Sequence, residues 1–201
     1  MDNRIFIIGQ DRLPEKLTLR DGQGIRWTLV ALPGVSAGLS LEVDIEGEGC
    51  EADIAGLYLC KGGENVSLDM NVRHNCSGSV SRQLFRGILD GRSKVDFDGL
   101  IYVKKDAQRT KAFQECKTIL LSREAVISTR PQLEIYADDV ECSHGAASGF
   151  LSPDELFYMR SRGIPEDKAR ELQMISFISS VAAQVEDGTL REKIYDSLSE
   201  C

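Results

Sequence analysis

Several features that would assign a sequence to a common functional class are scarce in these 201 residues. Only two are histidines, so a metal site built from several histidines of one chain is excluded. No apolar run exceeds four residues, far below the roughly 20 that a membrane-spanning helix needs. No cluster of Lys and Arg offsets the net charge of −8. We therefore expect neither a membrane nor a nucleic-acid partner.

The motifs of the best-known enzyme classes are also missing. The sequence contains no nucleophile elbow, Walker A loop, dinucleotide-binding glycine fingerprint or H-E-x-x-H string. Asp2 and Asn3 stand where a signal peptide would carry basic residues, which predicts a cytoplasmic protein. Six cysteines, at positions 50, 60, 76, 116, 142 and 201, form no C-x-x-C pair. In the cytoplasm we expect them to be reduced and mostly buried.

The first 151 residues have the pattern of many short β-strands. Apolar and polar residues alternate in six segments, of which Leu39–Ile45 and Val66–Val72 are the clearest, and glycine-rich turns separate them. Sandwich, barrel and β-solenoid folds all fit such strands. A recurring apolar-x-Gly-apolar string, with glycines at 56, 87 and 99, favours the solenoid. The side chains expected to point inward are Leu39, Leu41, Val43, Val66, Leu68 and Met70.

The pattern becomes helical after residue 151, so the chain divides into a β-domain, 1–151, and a helical region, 152–201. Ser152-Pro-Asp-Glu155 has the form of a capping box, and Gly163 ends that helix. A second helix is predicted over 165–185. It is apolar over more than half its circumference, so it either wedges against the β-domain or also docks a partner. Another capping box, Thr189 to Glu192, predicts a short last helix.

The densest cluster of polar and sulfur-bearing residues lies between Pro131 and Gly149. Cys142 and His144 are two positions apart, so they share one face if the segment is a strand. Thiolate and imidazole suit iron or zinc, but two ligands do not complete a site, and Cys116 or a carboxylate would have to be added. On spacing alone, a structural thiol beside a hydrogen-bonded histidine is the better explanation.

Two strings in this region resemble the SufB/SufD family. One runs from Lys117 to Ala146 and contains Pro-Gln-Leu-Glu-Ile-Tyr-Ala-Asp-Asp-Val-Glu-Cys-Ser-His-Gly-Ala. The other runs from Leu151 to Gly163 and contains Leu-Phe-Tyr-Met-Arg-Ser-Arg-Gly. The resemblance extends over about 100 residues, from near Gly99 to the C-terminus. Family members are usually longer, which implies a short, core-only version.

The resemblance implies a mainly β fold: a right-handed parallel β-helix followed by C-terminal helices. It also implies a scaffold of the SUF system, on which iron–sulfur clusters are assembled, rather than an enzyme. ATP hydrolysis would belong to an ABC-type ATPase docked on the C-terminal helices, and a cysteine desulfurase system would supply sulfur. The scaffold would pair through the β-helix, as a homodimer or as a heterodimer with a paralogous scaffold.

Candidate residues follow from the positions of the family motifs. The string Cys-Ser-His-Gly-Ala is SufD-like, and His144 matches the histidine implicated in cluster formation where two chains meet. Cys116 stands where the SufB branch has its cysteine, and Gly145 stands where that branch has a glutamate. One ligand is therefore unaccounted for, with Glu141 and Cys142 as candidate substitutes. The mixture of both branches favours a homodimer.

Geometry adds one expectation about this site, and the helices supply a second candidate surface. Cys116 and His144 are 28 residues apart, close to one turn of a solenoid, so we expect them to stack ~4.8 Å apart in one pocket. A two-fold pair would then provide four ligands. The residues expected to bind the ATPase are Leu156, Phe157, Tyr158, Met174, Phe177 and Val181.

Two other classes of function remain open at this stage. One is a β-solenoid hydrolase or lyase that uses the acids Asp138, Asp139 and Glu141. Solenoid enzymes of that kind usually act on sugars and present aromatic platforms, whereas only 6% of these residues are aromatic. The other is a structural adaptor whose cysteines are inert.

Overall fold

The computed structural model describes residues 1–199, which form eleven strands and three helices; Cys201 lies outside the described residues. The strands are β1 (Asp2–Ile7), β2 (Lys16–Leu19), β3 (Gly24–Ala31), β4 (Ala37–Ile45), β5 (Glu51–Cys60), β6 (Asn65–His74), β7 (Val80–Leu89), β8 (Lys94–Val103), β9 (Thr110–Leu120), β10 (Val126–Ile135) and β11 (Val140–Gly149). The helices are α1 (Pro153–Ser161), α2 (Glu166–Ala182) and α3 (Gly188–Ser199).

The strands wind into a parallel β-helix. Odd-numbered strands form one sheet, in the order β1-β3-β5-β7-β9-β11, which we call sheet A. Even-numbered strands form the other, in the order β10-β8-β6-β4-β2, which we call sheet B. Consecutive strands therefore alternate between the sheets, and each pairs in parallel with the strand two places later. The prediction of a β-helix followed by helices is confirmed, with about five turns.

The length of a turn varies along the solenoid. Leu17 pairs with Val43 in sheet B near the start of the chain. Ile101 pairs with Leu133 at the other end of the same sheet. Paired residues are thus 26 positions apart in the first case and 32 in the second. Equal spacing in the sequence is consequently not a guide to which residues stack.

The core lies between the two sheets and follows the predicted alternation. Leu41, Val43, Val66, Leu68 and Met70 are buried, and Leu39 is half-buried against the same cluster. Glycine makes room for aromatic rings in this layer. An added Cβ at Gly56 would lie 2.2 Å from the ring of Phe85, and one at Gly87 would lie 1.7 Å from the ring of Tyr58. The recurring glycine string therefore has a packing cause.

The helices do not cap the β-helix but pack on the outer face of sheet A. Met174, Ile178 and Val181 of α2 share a buried cluster with Leu57 and Ile88. Apolar burial on both faces explains why β5 reads as a nearly continuous apolar run.

The N-termini of α1 and α3 show which side chains cap the two helices for which capping boxes are predicted. At α1 Ser152 is confirmed as the N-cap, since its Oγ accepts a hydrogen bond from the Glu155 N–H at 3.3 Å, which is one of the two bonds of a capping box. At α3 the predicted box from Thr189 to Glu192 is wrong. Asp187 Oδ1 accepts from the N–H groups of Thr189 and Leu190, at 2.8 and 3.1 Å. Asp187 caps the helix because its carboxylate, two residues earlier, already reaches both donors.

Candidate functional site

The last turn of the β-helix is open. β11 and β10 are the terminal strands of sheets A and B, so each has one neighbouring strand among residues 1–199. Almost all of β11 is exposed, whereas alternate residues of β9 beneath it are fully buried. Val126, Ile135 and Phe150 add exposed apolar surface near this end. The sequence-predicted cluster residues all lie on these last two strands of sheet A.

Cys116 points into the solenoid from β9. Its side chain is 0% exposed, and its Sγ lies 3.4 Å from the hydroxyl of Tyr58. Burial raises the pKa of the Cys116 thiol, although the hydrogen bond with Tyr58 and the charge of Arg86 oppose that shift. The thiol is therefore held in the interior, one strand below the open end.

Cys142 and His144 lie on β11 and share its inward face. Their partners in the parallel register are Ala112 and Gln114, both buried inward-facing residues of β9. Cys142 is half-buried and His144 is exposed, because no strand formed by residues 1–199 covers β11 on its other side. Burial raises the pKa of the Cys142 thiol, opposed by a hydrogen bond with the backbone of Ala112. The predicted common face is confirmed.

Glu141 lies on the opposite face of the same strand. Its carboxylate forms an ion pair with Lys111 at 2.8 Å, and both side chains are well exposed. Glu141 therefore does not face Cys142 or His144 of its own chain, although it lies on the same terminal strand.

Cys116 and His144 do not stack directly, so the prediction of a one-turn stack is wrong. His144 pairs with Gln114, and Cys116 pairs with Ala146. This turn contains 30 residues rather than 28, which offsets the two side chains by two positions along the strands. Such diagonal neighbours have Cα atoms about 8 Å apart. The surface hollow beside His144 is lined by Arg82, Phe113 and Glu115, and Cys116 is not part of it.

One chain does not assemble a complete metal site from the residues that the structure describes. Within residues 1–199, no group of three or more His, Cys, Asp or Glu side chains is arranged to hold a metal ion. Cys116 and the pair on β11 provide suitable donor atoms, a thiolate and an imidazole.

Sequence reasoning did not single out the polar groups buried near this site. Gln114 Nε2 donates to Gln83 Oε1 at 3.0 Å, while Gln114 Oε1 and Gln83 Nε2 have no hydrogen-bond partner in the structure. Added at Gly99, a Cβ would lie 2.4 Å from the Gln114 amide, so this glycine also makes room for a neighbouring side chain. The sequence did offer one signal that these two glutamines are buried: each occupies a position that the strand alternation predicts to face inward.

His74 is the other buried polar side chain of note. It is 0% exposed, its Nε2 lies 2.8 Å from Ser81 Oγ, and its Nδ1 has no partner in the structure. Burial lowers the pKa of His74 to about 4. The side chain is therefore a neutral core histidine at physiological pH.

The helical surface divides the predicted partner-binding residues into two groups. Phe157 and Tyr158 are 74% and 60% exposed, while Leu156 and Phe177 are half-buried. Met174 and Val181 are buried beneath α2, so these two face the β-helix and are closed to a partner in this conformation. A groove of about 740 Å³ runs between α1 and α2. Its apolar lining residues are Ile119, Phe150, Leu151, Met159, Leu172 and Phe177.

No helix within residues 1–199 combines the length and apolar composition needed to cross a membrane. This agrees with the short apolar runs of the sequence.

Comparison with known proteins places this chain in a family. A family model described as "SUF system FeS cluster assembly, SufBD core domain" matches residues 15–177. The iron–sulfur cluster assembly protein SufD of Escherichia coli K12 is 36% identical over 123 residues, covering 61% of this chain and 29% of that protein. A SufBD family iron–sulfur cluster assembly protein of Synechocystis is 31% identical over 160 residues, covering 80% and 35%.

A SufBD family protein of Mycobacterium tuberculosis H37Rv is 29% identical over 178 residues, covering 85% of this chain and 45% of that protein. The chain thus spans less than half the length of each of these relatives. The match to the family model nevertheless extends over well more than half of the chain, through the β-helix and into α2. The chain belongs to the SufBD core family.

Proposed function

We propose that this chain is a scaffold component of a SUF-type iron–sulfur cluster assembly complex, working in the cytoplasm with an ABC-type ATPase. The observation that carries the proposal is the family match over residues 15–177. The names of the E. coli and Synechocystis relatives, both iron–sulfur cluster assembly proteins, support it. As a scaffold, the chain would hold its cargo and leave ATP hydrolysis to the partner.

The cargo is a nascent iron–sulfur cluster, and its ligands would be Cys116 and His144. Thiolate sulfur holds iron strongly, whereas an imidazole ligand alters the cluster's potential and weakens its retention. A mixed set suits a scaffold that must release what it assembles. Cys142 lies on the same inward face as His144 and is the nearest candidate for a further ligand. Glu141 would contribute only from the outer face of β11.

The second half of the ligand set would come from a second copy of this chain. The open strands β10 and β11 offer unpaired backbone edges and exposed apolar side chains, which is the kind of surface that pairs with another strand. In a two-fold pair each chain presents the same residues to the other. The incomplete donor set of one chain is consistent with this arrangement.

The ATPase would dock on the helical region. Tyr158 lines the apolar groove between α1 and α2, whereas Phe157 is a second exposed aromatic side chain of α1 that lies outside that lining. Exposed aromatic residues beside a groove are typical of protein interfaces. Sulfur would arrive from a cysteine desulfurase system.

The decisive experiment is anaerobic reconstitution with iron and sulfide of wild type, Cys116→Ser and His144→Ala. We expect both variants to bind much less iron and sulfide per dimer. Cys76→Ser is the matched control, because Cys76 lies in the turn before β7 and its Sγ contacts a backbone carbonyl. Full retention by both variants would refute the site, and loss in Cys116→Ser alone would leave His144 with a structural role.

The two other classes of function are separated by the same set of measurements. A structural adaptor would bind no cluster in any variant. The acids of the hydrolase alternative, Asp138 and Asp139, are exposed in the turn between β10 and β11, and Glu141 pairs with Lys111. No observation on these acids favours the enzyme. Capture of a SUF ATPase by the purified chain would argue against the hydrolase or lyase, whereas only the reconstitution separates the scaffold from a structural adaptor.

A further inference from the structure

We propose that Tyr58 is a positioning residue for cluster binding, which holds the Cys116 sulfur by a hydrogen bond across the interior of the β-helix. The inference rests on the proposed function, because it takes Cys116 as a ligand of the cluster. Tyr58 is far from Cys116 in sequence and belongs to no motif of the family resemblance, so only the packing of the solenoid relates the two.

The path of the Tyr58 ring is set by a glycine. Tyr58 lies on β5, two strands away from β9 in sheet A, and β7 runs between them. In the register Tyr58 pairs with Gly87, and Gly87 pairs with Thr118. The ring passes through the space that a side chain at position 87 would fill, since an added Cβ would lie 1.7 Å from ring carbon Cε2. The hydroxyl thereby reaches the level of β9.

At that level the hydroxyl meets two partners. Tyr58 Oη lies 2.6 Å from Thr118 Oγ1 and 3.4 Å from Cys116 Sγ. Thr118 and Cys116 are two positions apart on β9, so both face inward and flank the phenol. The three groups form a short chain of hydrogen bonds within a layer where Tyr58 and Cys116 are 0% exposed.

This chain of hydrogen bonds can reverse without moving a heavy atom. A protonated thiol donates to the phenol oxygen, and the phenol then donates to Thr118. When the sulfur binds iron it has no proton and only accepts. Thr118 then donates to the phenol, and the phenol donates to the sulfur. The Tyr58 hydroxyl can therefore hydrogen-bond to both the protonated thiol and the iron-bound sulfur, and it holds the Cys116 side chain in the same orientation in both states.

The simplest competing explanation is that Tyr58 merely needs a partner for its buried hydroxyl. Thr118 alone would satisfy that need at 2.6 Å. Two further facts favour a role at the sulfur. The neighbouring aromatic positions of this core, Phe85 and Phe97, carry no hydroxyl. Cys50 and Cys76 use backbone carbonyls as sulfur partners, whereas Cys116 is held by a side chain.

The first test needs no cluster. The infrared S–H stretch of Cys116 is isolated by subtracting the spectrum of Cys116→Ala from that of the wild type. We expect a hydrogen-bonded S–H band that moves to the free-thiol position in Tyr58→Phe. Thr118→Val is the matched variant, which removes the other hydroxyl partner and should leave the S–H band hydrogen-bonded. A free-thiol band in the wild type would overturn the proposal, even if Tyr58→Phe did not fold.

The second test uses the reconstituted dimer. Hydrogen bonds to ligand sulfurs raise the reduction potential of a cluster. We therefore expect Tyr58→Phe to load normal iron and sulfide but to show a more negative potential and several-fold faster loss of the cluster to a chelator. If Cys116→Ser retains a full cluster, the proposed function at this site fails and this inference fails with it. If Cys116→Ser loses the cluster while Tyr58→Phe matches wild type, only the role of Tyr58 is refuted.

Discussion

Ala146 lies directly above Cys116 in the register of β11 and β9, and it is the last inward-facing side chain of that column. Within sheet A, the residue paired with Cys116 on the side of the open end is thus a small one, whose side chain is a single methyl group. A cluster that reaches Cys116 from this end must approach past Ala146. We therefore expect the width of the side chain at this position to control access to the sulfur.

Replacing Ala146 with leucine should reduce loading without unfolding the chain. Ala146 is exposed, so the larger side chain has room and folding stability should change little. We expect iron and sulfide per dimer after anaerobic reconstitution to fall by more than half. Ala147→Leu is the matched control, because Ala147 pairs with Lys117 on the outer face of the same strand. Equal losses in both variants would show that the effect is not specific to the path above Cys116.

His74 should make the fold sensitive to mild acid. Burial lowers its pKa from 6.5 to about 4 in the folded chain. The folded state therefore excludes a proton that the unfolded state binds, so stability is fully present above pH 6.5 and declines as the pH falls towards 4. The loss amounts to about 3 kcal/mol. Urea unfolding at pH 7 and pH 4.5 measures it.

The chain contains its own control for this effect, since its only other histidine, His144, is exposed. We expect His74→Gln to remove most of the histidine-dependent part of the acid sensitivity and His144→Gln to leave it unchanged. Acid sensitivity equal to wild type in His74→Gln would assign the effect to carboxylates instead.

Gly87→Ala should destabilise the fold. Its added Cβ would lie 1.7 Å from the Tyr58 ring, so the ring must leave its place between β5 and β9. Overpacking of this kind costs about 1–3 kcal/mol. Gly63→Ala is the control, because no atom lies within 4 Å of a Cβ added there and its φ lies outside the left-handed region. The midpoints of urea unfolding at pH 7 compare the two, and equal midpoints would mean that Tyr58 is not confined as described.

Two substitutions in the helical region should separate effects on ATPase binding from effects on folding stability. Phe157→Ser changes a side chain that is 74% exposed, so the free energy of unfolding should barely change while affinity for a SUF ATPase falls at least tenfold. Met174→Ser changes a side chain that is buried against sheet A and should cost about 2–4 kcal/mol of stability. Titration calorimetry with the ATPase and urea unfolding measure the two effects. Unchanged affinity in Phe157→Ser would move the docking surface elsewhere.

Strand alternation predicted the strands and their inward-facing residues, because apolar and polar side chains alternate with period two. The choice of a β-helix among the folds that such strands fit needed the glycine string and the family resemblance. Leu41 and Val43 are buried as that pattern requires. The string around Gly56 and Gly87 favoured a solenoid, but its cause is local: each glycine accepts a neighbouring aromatic ring. A packing detail of this type has no signature in the sequence until the strands are aligned.

The arrangement of the site depended on turn lengths, which the sequence does not reveal. A two-residue difference in the last turn was enough to place Gln114, rather than Cys116, next to His144. Similarly, the two-sided apolar pattern of α2 could not indicate which side contacts the β-helix. The structure places Met174 and Val181 on that side and leaves Leu172 40% exposed.

In a solenoid whose final strand has a single neighbouring strand, local stability differs along the axis and is lowest at that end. In such linear architectures each turn is stabilised only by the turns beside it, so fraying begins at the free end. Cys142 and His144 lie on that final strand, and Cys116 lies one strand inside. Local unfolding of β11 would therefore open the way to the sulfur without disturbing the remaining turns. Association with another strand would suppress this local unfolding. Under the proposed function, how often β11 detaches would then decide how readily the cluster is delivered and how long it is retained.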